Sequence, residues 1–583
     1  MSLVLLAVAS VSVLSAFAHS PAQRDPLSST SPEAWEQLRR KVDGRLYAGA
    51  PFAQQCFDDS TSEACLAARR TYLDETSRSN TFGAYINTQW ETCQTTAEQC
   101  LLDFTNPNST LPTSPPSKCG QGSISNYYID VRIPQDISAA FAFSRRTAVP
   151  LVIKNTGHDY KGRSSAPRSL ALWTHNLRNI TYTPNFVPSG CSKQKSSPGV
   201  TVGAGVMWGE AYAFAEAHNI TVVGGSDKNV GVAGGWLQGG GHGALSNSMG
   251  LGVDRVLEFK MVTPDGKFRT VNACQNEDLF FALRGGGGGT FGVVTEATIL
   301  ASPQVTLQAV VVSFPRPTPG SNITQELFSI IVANSIRWAD EGWGGLANGF
   351  TAIYVNPLIS QAQAAESMKP LIDFGNRVKL ENNMTSASIV ATEFPSWGKF
   401  FNFFANGFVA AVGQSLALTS RLVNQDNFAS TLKQQQLINA LTAANAETQS
   451  LIILISPPHR FSRKGEAKKI KANNAITSVT PMWRESIYHI TTVSPWNWNA
   501  TTSEKKAQYQ RASTAMDHLR RITPDASYVN EADVHESNHE SAFWGHNFKE
   551  LLRIKKKYDP EHLLDCWQCV GWNQRSPRFS CYL

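Results

Sequence analysis

The 583-residue sequence has little charge, and beyond its first residues it has no long apolar run. Charged residues make up 17% of the chain, and the formal net charge is only +6. Nucleic-acid binding needs a concentrated basic surface, and the sequence has no basic run longer than three residues, such as 555–557, so we exclude a nucleic-acid partner. No later stretch reaches the roughly 18 apolar residues of a membrane helix, so we expect no membrane span in the mature chain. The 42% hydrophobic content excludes a disordered chain.

Two common phosphate-binding motifs are also missing. No G-x-G-x-x-G joins a strand to a helix, and no Gly-Lys-Ser/Thr closes a P-loop. Glycine is nevertheless crowded, because 18 of the 42 glycines lie between Gly224 and Gly292. Glycine lets a backbone approach a ligand closely and present N–H groups to anionic oxygens. We therefore predict a phosphate cradle at 224–243, with a purely structural glycine-rich loop as the alternative.

The N-terminal segment 1–18, MSLVLLAVASVSVLSAFA, resembles a secretory signal peptide cleaved after Ala18. An uncleaved anchor and a buried helix are the alternatives. Two further counts agree with a secreted or secretory-lumen glycoprotein: an even number of cysteines and six glycosylation sequons. The ten cysteines are Cys56, Cys65, Cys93, Cys100, Cys119, Cys191, Cys274, Cys566, Cys569 and Cys581. The sequon asparagines are Asn108, Asn179, Asn219, Asn322, Asn383 and Asn499.

The cysteine spacing predicts disulfides rather than a metal site. Five cysteines fall between Cys56 and Cys119, which indicates a disulfide-tied N-terminal extension. The Cys566-x-x-Cys569 pair has the spacing of a redox or zinc motif. Because the chain is predicted to be secreted and has no second CxxC, we favour disulfide halves, with the connectivity open, and predict no metal.

Composition and periodicity divide the chain into five parts: a signal peptide (1–18), the extension (19–122), a first domain (123–302), a second domain (303–525) and a C-terminal segment (526–583). The first domain opens with a predicted strand–helix–strand unit at 127–131, 134–147 and 150–154. A hairpin is predicted around 264–266. In the second domain, strand-like runs at 307–314, 349–355, 451–455 and 487–493 alternate with helical runs at 325–338, 360–374 and 504–521. A further amphipathic helix is predicted at 543–557.

His158 lies on the turn 155–160, well upstream of the glycine-rich segment. Segments 152–160 (VIKNTGHDY) and 230–242 (VGVAGGWLQGGGH) resemble the FAD-binding domain of the vanillyl-alcohol-oxidase superfamily, and most closely its berberine-bridge-enzyme-like oxidases, especially secreted fungal members related to isoamyl alcohol oxidase. The resemblance covers 123–302 and 526–572. It implies an α+β fold: a two-part PCMH-type FAD-binding domain and an α+β substrate domain whose antiparallel sheet roofs the flavin.

The resemblance implies that FAD is bonded through its 8α-methyl to His158. Many relatives carry a second link through a cysteine at the position of 225–229, but this chain has none there, so a single link is expected. Val230 lies near the position that controls oxygen access, Val293 near the adenine and Asn530 near the polar edge of the ring system. The other implied cofactor-binding residues are Lys154, Asn155, Thr156, Gly157, Asp159, Tyr160, Ser164, Gly225, Ser226, Gly231, Gly234, Gly235, Gln238, Gly241 and His242.

The catalytic base is expected on the sheet that roofs the flavin, near 483–491. Strand alternation puts Tyr488 and His489 on opposite faces, so at most one of them points to the flavin. Glu485 is placed on the same face as His489 and is a further candidate. A structural role for these residues is the alternative.

The resemblance implies a secreted oxidase that moves hydride from an alcohol, a sugar or a secondary metabolite to FAD and reduces O2 to H2O2. The partners would be a small-molecule substrate and O2. One alternative is a flavin-dependent oxidative cyclase or tailoring enzyme. Another is a non-catalytic secreted glycoprotein with a vestigial flavin fold.

Overall fold

The computed structural model describes residues 25–318, 321–405, 411–463 and 477–583. The predicted signal peptide, 1–18, lies outside the described residues. Among the helices in these ranges, none combines the length and the apolar character that crossing a membrane requires. The described residues form an α+β fold with a four-, a five- and a seven-stranded sheet and one short strand pair.

The four-stranded sheet holds the turn that carries His158. Its strands, in spatial order, are Leu46–Ala48, Tyr127–Asp130, Leu170–Trp173 and Leu151–Lys154. The last three are parallel, and the first, from the N-terminal extension, is antiparallel to its neighbour. The predicted strand–helix–strand unit is present, but the strand Leu170–Trp173, which the sequence analysis missed, lies between its two strands.

The helix Pro134–Thr147 has the bounds that were predicted. Proline at the first helical position and Asp136, whose carboxylate accepts the backbone N–H of Ile133, define its start. Ala148 in the left-handed conformation, φ 59°, ends it. Its apolar residues pack against the four-stranded sheet and help to place the strand that leads to His158.

The five-stranded antiparallel sheet carries the rest of the FAD-binding half. In order, its strands are Ile180–Phe186, Ser197–Gly203, Val293–Leu300, Val256–Val262 and Phe268–Asn272. The last two form the predicted hairpin. A short pair, Ile220–Thr221 with Ser302–Pro303, lies beside this sheet.

The seven-stranded antiparallel sheet forms the second domain. In order, its strands are Ser388–Phe394, Leu307–Ser313, Thr351–Asn356, Gly344–Ala347, Ile452–Ile455, Ser486–Trp496 and Ser415–Asn424. One face packs against the helices Ile323–Glu341, Thr431–Thr448 and Thr502–Arg520. Successive side chains of a strand point to opposite faces, so the side chains on the other face line a large cavity.

The remaining α-helices differ in places from the sequence expectation. The run predicted at 360–374 is two helices, and the one predicted at 543–557 is interrupted at Gly545, where φ is 55°. The α-helices not yet named are Pro26–Ser29, Pro32–Lys41, Gln54–Asp58, Glu63–Thr71, Glu75–Ser79, Trp208–Ala217, Leu237–Gly239, Ser246–Met249, Glu277–Leu283, Gln361–Ser367, Lys369–Glu381, Trp397–Ala405, His459–Arg463, Met482–Glu485, His539–Trp544 and Phe548–Tyr558.

All ten cysteines are paired in disulfides. Cys56–Cys65 and Cys100–Cys119 lie inside the extension, and Cys93 joins it to Cys581 near the C-terminus. The other two bridges are Cys191–Cys274 and Cys566–Cys569. The disulfide interpretation of the CxxC pair is therefore confirmed, with the two cysteines bonded to each other.

Candidate active site

A cavity of about 740 Å³ lies between the two domains. That volume is toward the upper end of ligand sites, which span about 300–1,000 Å³. Its floor is built from the His158 turn and the glycine-rich segments, its roof from the seven-stranded sheet, and its sides from the helix Trp397–Ala405 and the C-terminal residues 528–531. Distant parts of the chain thus meet at one site.

His158 lies at the edge of this floor, held by a tight turn. The turn follows the strand Leu151–Lys154 and contains Gly157, whose φ of +92° favours glycine. The His158 side chain is 12% exposed, and its Nε2 lies 3.7 Å from Oε1 of Glu75 and 3.7 Å from Oδ1 of Asp227. One imidazole edge therefore faces two carboxyl groups.

These three groups perturb one another. Burial lowers the pKa of His158, and the Asp227 carboxylate opposes that shift. Burial, together with the neighbouring Asp227, raises the pKa of Glu75 to about 8. Burial also opposes ionisation of Asp227, but the His158 ring and a hydrogen bond from Glu75 outweigh it and lower the pKa of Asp227. The carboxyl pair therefore carries one proton, on Glu75, at neutral pH.

The glycine-rich segment forms a cradle of backbone atoms, because its glycines carry no side chains. A Cβ on Gly231 would lie 1.9 Å from Oδ1 of Asn155, whereas a Cβ on Gly235 would meet nothing within 4 Å. Asn530 donates from Nδ2 to the Gly235 carbonyl at 2.8 Å. Gln238 donates from Nε2 to the Ala233 carbonyl at 3.0 Å. Gly235 thus presents open backbone to the cavity, and side chains on neighbouring segments hold it in place.

A second polar cluster also lines the cavity. Glu531 is bound by two histidines, with His489 Nε2 at 2.7 Å from Oε2 and His242 Nε2 at 3.2 Å from Oε1. Glu531 and His242 line the cavity, and Nδ1 of His242 is buried with no hydrogen-bond partner among the described residues. Burial opposes ionisation of Glu531, but the two imidazoles outweigh it and hold its pKa well below its usual range.

Most of the predicted cofactor residues line the cavity. Asp159 accepts from the Ser164 hydroxyl at 2.6 Å and from the Ser164 backbone N–H at 2.7 Å, which fixes the end of the turn. The lining members of the predicted set are Asn155, Thr156, Gly157, His158, Asp159, Tyr160, Ser164, Gly225, Ser226, Val230, Gly231, Gly234, Gly235, Gln238, His242 and Asn530.

Three predicted cofactor residues do not line the cavity. Lys154 is fully buried and directs Nζ to carbonyls of the N-terminal extension, including that of Ala84 at 2.6 Å. Gly241 packs against the Trp236 ring, 2.7 Å from where a Cβ would stand. Val293 points into the core, and strand alternation gives the cavity position to Val294.

The three predicted catalytic residues are also not brought to the cavity wall. Tyr488 faces the helices behind the sheet and donates to the Ile331 carbonyl at 3.3 Å. Glu485 is exposed and belongs to the short helix Met482–Glu485 rather than to the strand. His489 lies on the opposite face to Tyr488, as expected, but it reaches the cavity only through Glu531.

Several functional candidates were not predicted from the sequence. Glu531 follows the predicted Asn530 directly, and Asp227 lies in the stretch 225–229, which was considered only for its missing cysteine. Arg163, next to the predicted Ser164, lines the cavity and has Nη1 buried without a hydrogen-bond partner in the described part of the chain. Glu75 had no local signal, because only the folded chain brings it to His158.

The residues present fit an FAD. Buried polar atoms without partners among the described residues belong to cavity-lining side chains, namely Asn155 Oδ1, Arg163 Nη1 and His242 Nδ1. Such atoms are rare in folded proteins and call for a ligand. The cradle at Gly235 leaves room for a group in direct contact with the backbone, and Arg163 supplies a cation suited to a pyrophosphate.

The comparisons with known proteins agree with this fit. The family described as FAD binding domain matches residues 126–272, and the family described as berberine and berberine like matches residues 527–570. The FAD-linked oxidoreductase ffsJ of Aspergillus flavipes is 36% identical over 93% of this chain and 93% of its own length. The chain belongs to the berberine-bridge-enzyme-like FAD-linked oxidoreductases of the vanillyl-alcohol-oxidase superfamily.

Other similar proteins agree with this assignment. The FAD-linked oxidoreductase cheF of Chaetomium globosum is 34% identical over 94% of this chain and 88% of its own. The crystal structure of the VAO-type flavoprotein MtVAO615 from Myceliophthora thermophila C1 superposes with a TM-score of 0.79 at 25% identity, covering 93% of this chain and 95% of that one. The oxidoreductase is thus an FAD-dependent enzyme, which sets aside the non-catalytic alternative.

Proposed function

We propose that this oxidoreductase is a secreted oxidase whose FAD is linked once, through His158, and that it oxidises an apolar alcohol while O2 is reduced to H2O2. The observation that carries the proposal is the convergence of His158 and the His242–Glu531 pair on one cavity. A histidine suited to hold the flavin and a group suited to take a proton then line one ligand site.

The flavin, when bound, accepts a hydride from the substrate carbon and passes two electrons to O2. The backbone at Gly234 and Gly235 and the Arg163 guanidinium would hold the pyrophosphate. Asn530, which already donates to the Gly235 carbonyl, would orient the polar edge of the ring system. These groups come from three separate segments, so the bound cofactor would also fix their relative positions.

A single covalent link is supported by the cysteine inventory. All ten cysteines are in disulfides, and 225–229, the position of the second link in many relatives, has none. No thiol is therefore available to form a second bond. One link leaves the flavin less oxidising and the site more open than two would.

The proton of the substrate hydroxyl would pass to Nδ1 of His242. In the tautomer that donates from Nε2 to Glu531, at 3.2 Å, Nδ1 carries the free lone pair. The Glu531 carboxylate holds the imidazole in that tautomer and stabilises the imidazolium that forms when the proton arrives. His489 donates to the other oxygen of Glu531, at 2.7 Å, and fixes it in place.

The roof of the cavity favours an apolar substrate over a sugar. Eight lining residues of the sheet are aliphatic, and Thr491 and Ser456 are the hydroxyl side chains among the lining residues of this roof. A sugar would bury several hydroxyls here without partners, each at a cost of about 1–3 kcal/mol. The aliphatic residues are Leu346, Ile353, Val355, Leu416, Leu418, Ile452, Leu454 and Val493.

Secretion is supported by the leader-like residues 1–18 and by the fully paired cysteines. The asparagines of all six sequons are exposed, so each is open to glycosylation. We propose that the mature chain is an extracellular or secretory-lumen glycoprotein that starts after Ala18.

The experiment is peroxide release by the purified holoenzyme across matched alcohols. We expect aryl and branched aliphatic alcohols to yield H2O2 and to bleach the flavin under anaerobic conditions, and glucose and cellobiose to do neither. Bleaching by sugars alone would contradict the apolar substrate. Bleaching without peroxide in air would contradict the oxidase.

A further inference from the structure

We propose that Glu75 and Asp227 form a positioning pair that directs His158 to bond the flavin through Nδ1, so that the N-terminal extension takes part in installing the cofactor. This rests on the covalent link proposed above. Glu75 and Asp227 lie 152 positions apart in the sequence, yet both carboxyl groups stand 3.7 Å from the same imidazole nitrogen.

The pair is built into the fold. Glu75 is the first residue of the helix Glu75–Ser79 in the extension, and its side chain is only 15% exposed. Asp227 is held by the backbone N–H of Asn229, which donates to Oδ1 at 2.8 Å. Oε1 of Glu75 and Nε2 of His158 are both buried, and neither has a hydrogen-bond partner in the described residues. The three groups therefore face one another rather than solvent.

One negative charge beside Nε2 selects the tautomer of His158. With the shared proton on Glu75, the Asp227 carboxylate favours a hydrogen on Nε2 of the neutral ring. The lone pair then resides on Nδ1, the ring nitrogen not turned to the carboxyl pair. Nδ1 becomes the nucleophile, and Asp227 stabilises the positive charge that the ring gains as the bond forms. The distances from Nε2 to the two carboxyl groups would shorten in that step, as such contacts commonly do.

The bond formation balances with O2 as the oxidant. An Nδ1–C8α bond forms, while one C–H bond of the 8α-methyl and the Nε2–H bond break. Asp227 receives the Nε2 proton and releases it to solvent. The proton of the broken C–H bond passes to solvent and its two electrons remain on the flavin. O2 then takes these electrons with two protons from solvent to give H2O2. The same oxidant serves the proposed turnover.

The test compares the covalent fraction of FAD in purified variants. Protein is precipitated with acid, and flavin is measured in the pellet and in the supernatant. We expect D227N to lower the covalent fraction at least tenfold while FAD still co-purifies in the supernatant fraction. We expect Glu75→Ala to lower it as well, and Glu75→Gln to keep most of it, because a neutral amide still donates to Asp227.

Two controls make the result specific. Glu63→Gln, an exposed carboxyl-to-amide change in the same extension, should keep the wild-type fraction. Total bound FAD and the melting temperature report whether each variant has folded. Equal covalent fractions in wild type and D227N, with FAD bound in both, would overturn the positioning role. A wild-type enzyme with only non-covalent FAD would overturn the proposed link itself, and the pair's role with it.

Discussion

Oδ1 of Asn155 occupies the space in which Gly231 would need a Cβ, since the two positions are 1.9 Å apart. Asn155 is itself held by its Nδ2, which donates to the Thr174 hydroxyl at 2.9 Å and to the Ala204 carbonyl at 2.6 Å. The amide cannot move aside without losing those bonds. The His158 turn and the glycine cradle are therefore packed against each other as one unit.

Two alanine variants distinguish a glycine that is needed for packing from a glycine that leaves room for the cofactor. Gly235→Ala should leave the fold intact, because its Cβ meets nothing within 4 Å, but should lower the FAD content at least several-fold because the methyl projects into the cavity. Gly231→Ala should lower both the FAD content and the thermal stability. Flavin absorbance per protein and the melting temperature check both. Normal FAD content in Gly235→Ala would contradict the cradle.

His242→Ala should lower kcat by about 100- to 10,000-fold, the usual worth of a positioned acid–base group. FAD should remain bound and covalent, because His158 is untouched. Glu531→Gln should also lower kcat, since an amide no longer stabilises the imidazolium. Steady-state peroxide assays check both variants. The control is His218→Ala, an exposed imidazole on another helix end, and an equal loss in that variant would show that the effect is not specific to the site.

Glu75 should make stability depend on pH in the flavin-free protein. Its pKa is raised from 4.5 to about 8 by burial and by Asp227, which titrates below this range, with His158 as the third group of the cluster. Between about pH 4.5 and 8 the folded state therefore holds a proton that the unfolded state has lost. The contribution of Glu75 to the free energy of unfolding should therefore fall as pH rises through that window, by up to about 1.4 kcal/mol for each pH unit, and level off above it. The lowered pKa of His158 acts in the opposite sense below pH 6.5.

The matched variant for this titration is Glu75→Gln, which cannot ionise. Urea unfolding of both proteins from pH 5 to 9 gives the difference directly. We expect Glu75→Gln to gain stability relative to wild type as pH rises. Parallel pH curves for the two proteins would contradict the raised pKa.

The Cys93–Cys581 bridge should contribute more to the stability of the folded protein than the Cys56–Cys65 bridge does. It joins positions 488 apart, against 9 for the other, so it removes far more freedom from the unfolded chain. Replacing both partners of the long bridge by serine should cost about 2–5 kcal/mol. The short-bridge double variant should cost less. Thermal unfolding of the two variants measures the order, and a greater loss from the short bridge would contradict this account.

Local patterns predicted much of the FAD-binding half. The helix Pro134–Thr147 begins at a proline and has regularly spaced apolar residues, and the hairpin around 264–266 has a turn motif. Both elements therefore depend on residues that are close in sequence. His158 and most of the glycine cradle were placed at the site because their spacing resembles a family pattern. Val293 does not line the cavity, whereas its neighbour Val294 does, because successive residues of a strand point to opposite faces.

What the sequence could not predict depends on long-range contacts. The strand Ser415–Asn424 is buried along its whole length, so it shows no alternation of apolar and polar residues. Lys154 directly precedes the turn 155–160, but its Nζ donates to a carbonyl of the N-terminal extension. No local sequence pattern signals that contact. Glu75 is 83 positions from His158, and its role exists only after the extension has docked.

The most direct test of the account is mass spectrometry of the protease-digested, denatured wild-type enzyme. We predict that one peptide, the one containing His158, carries a covalently bound FAD, that no cysteine-containing peptide does, and that His158→Ala abolishes the adduct while leaving folded protein. A wild-type digest with no flavinylated peptide, or with the flavin on another residue, would contradict it.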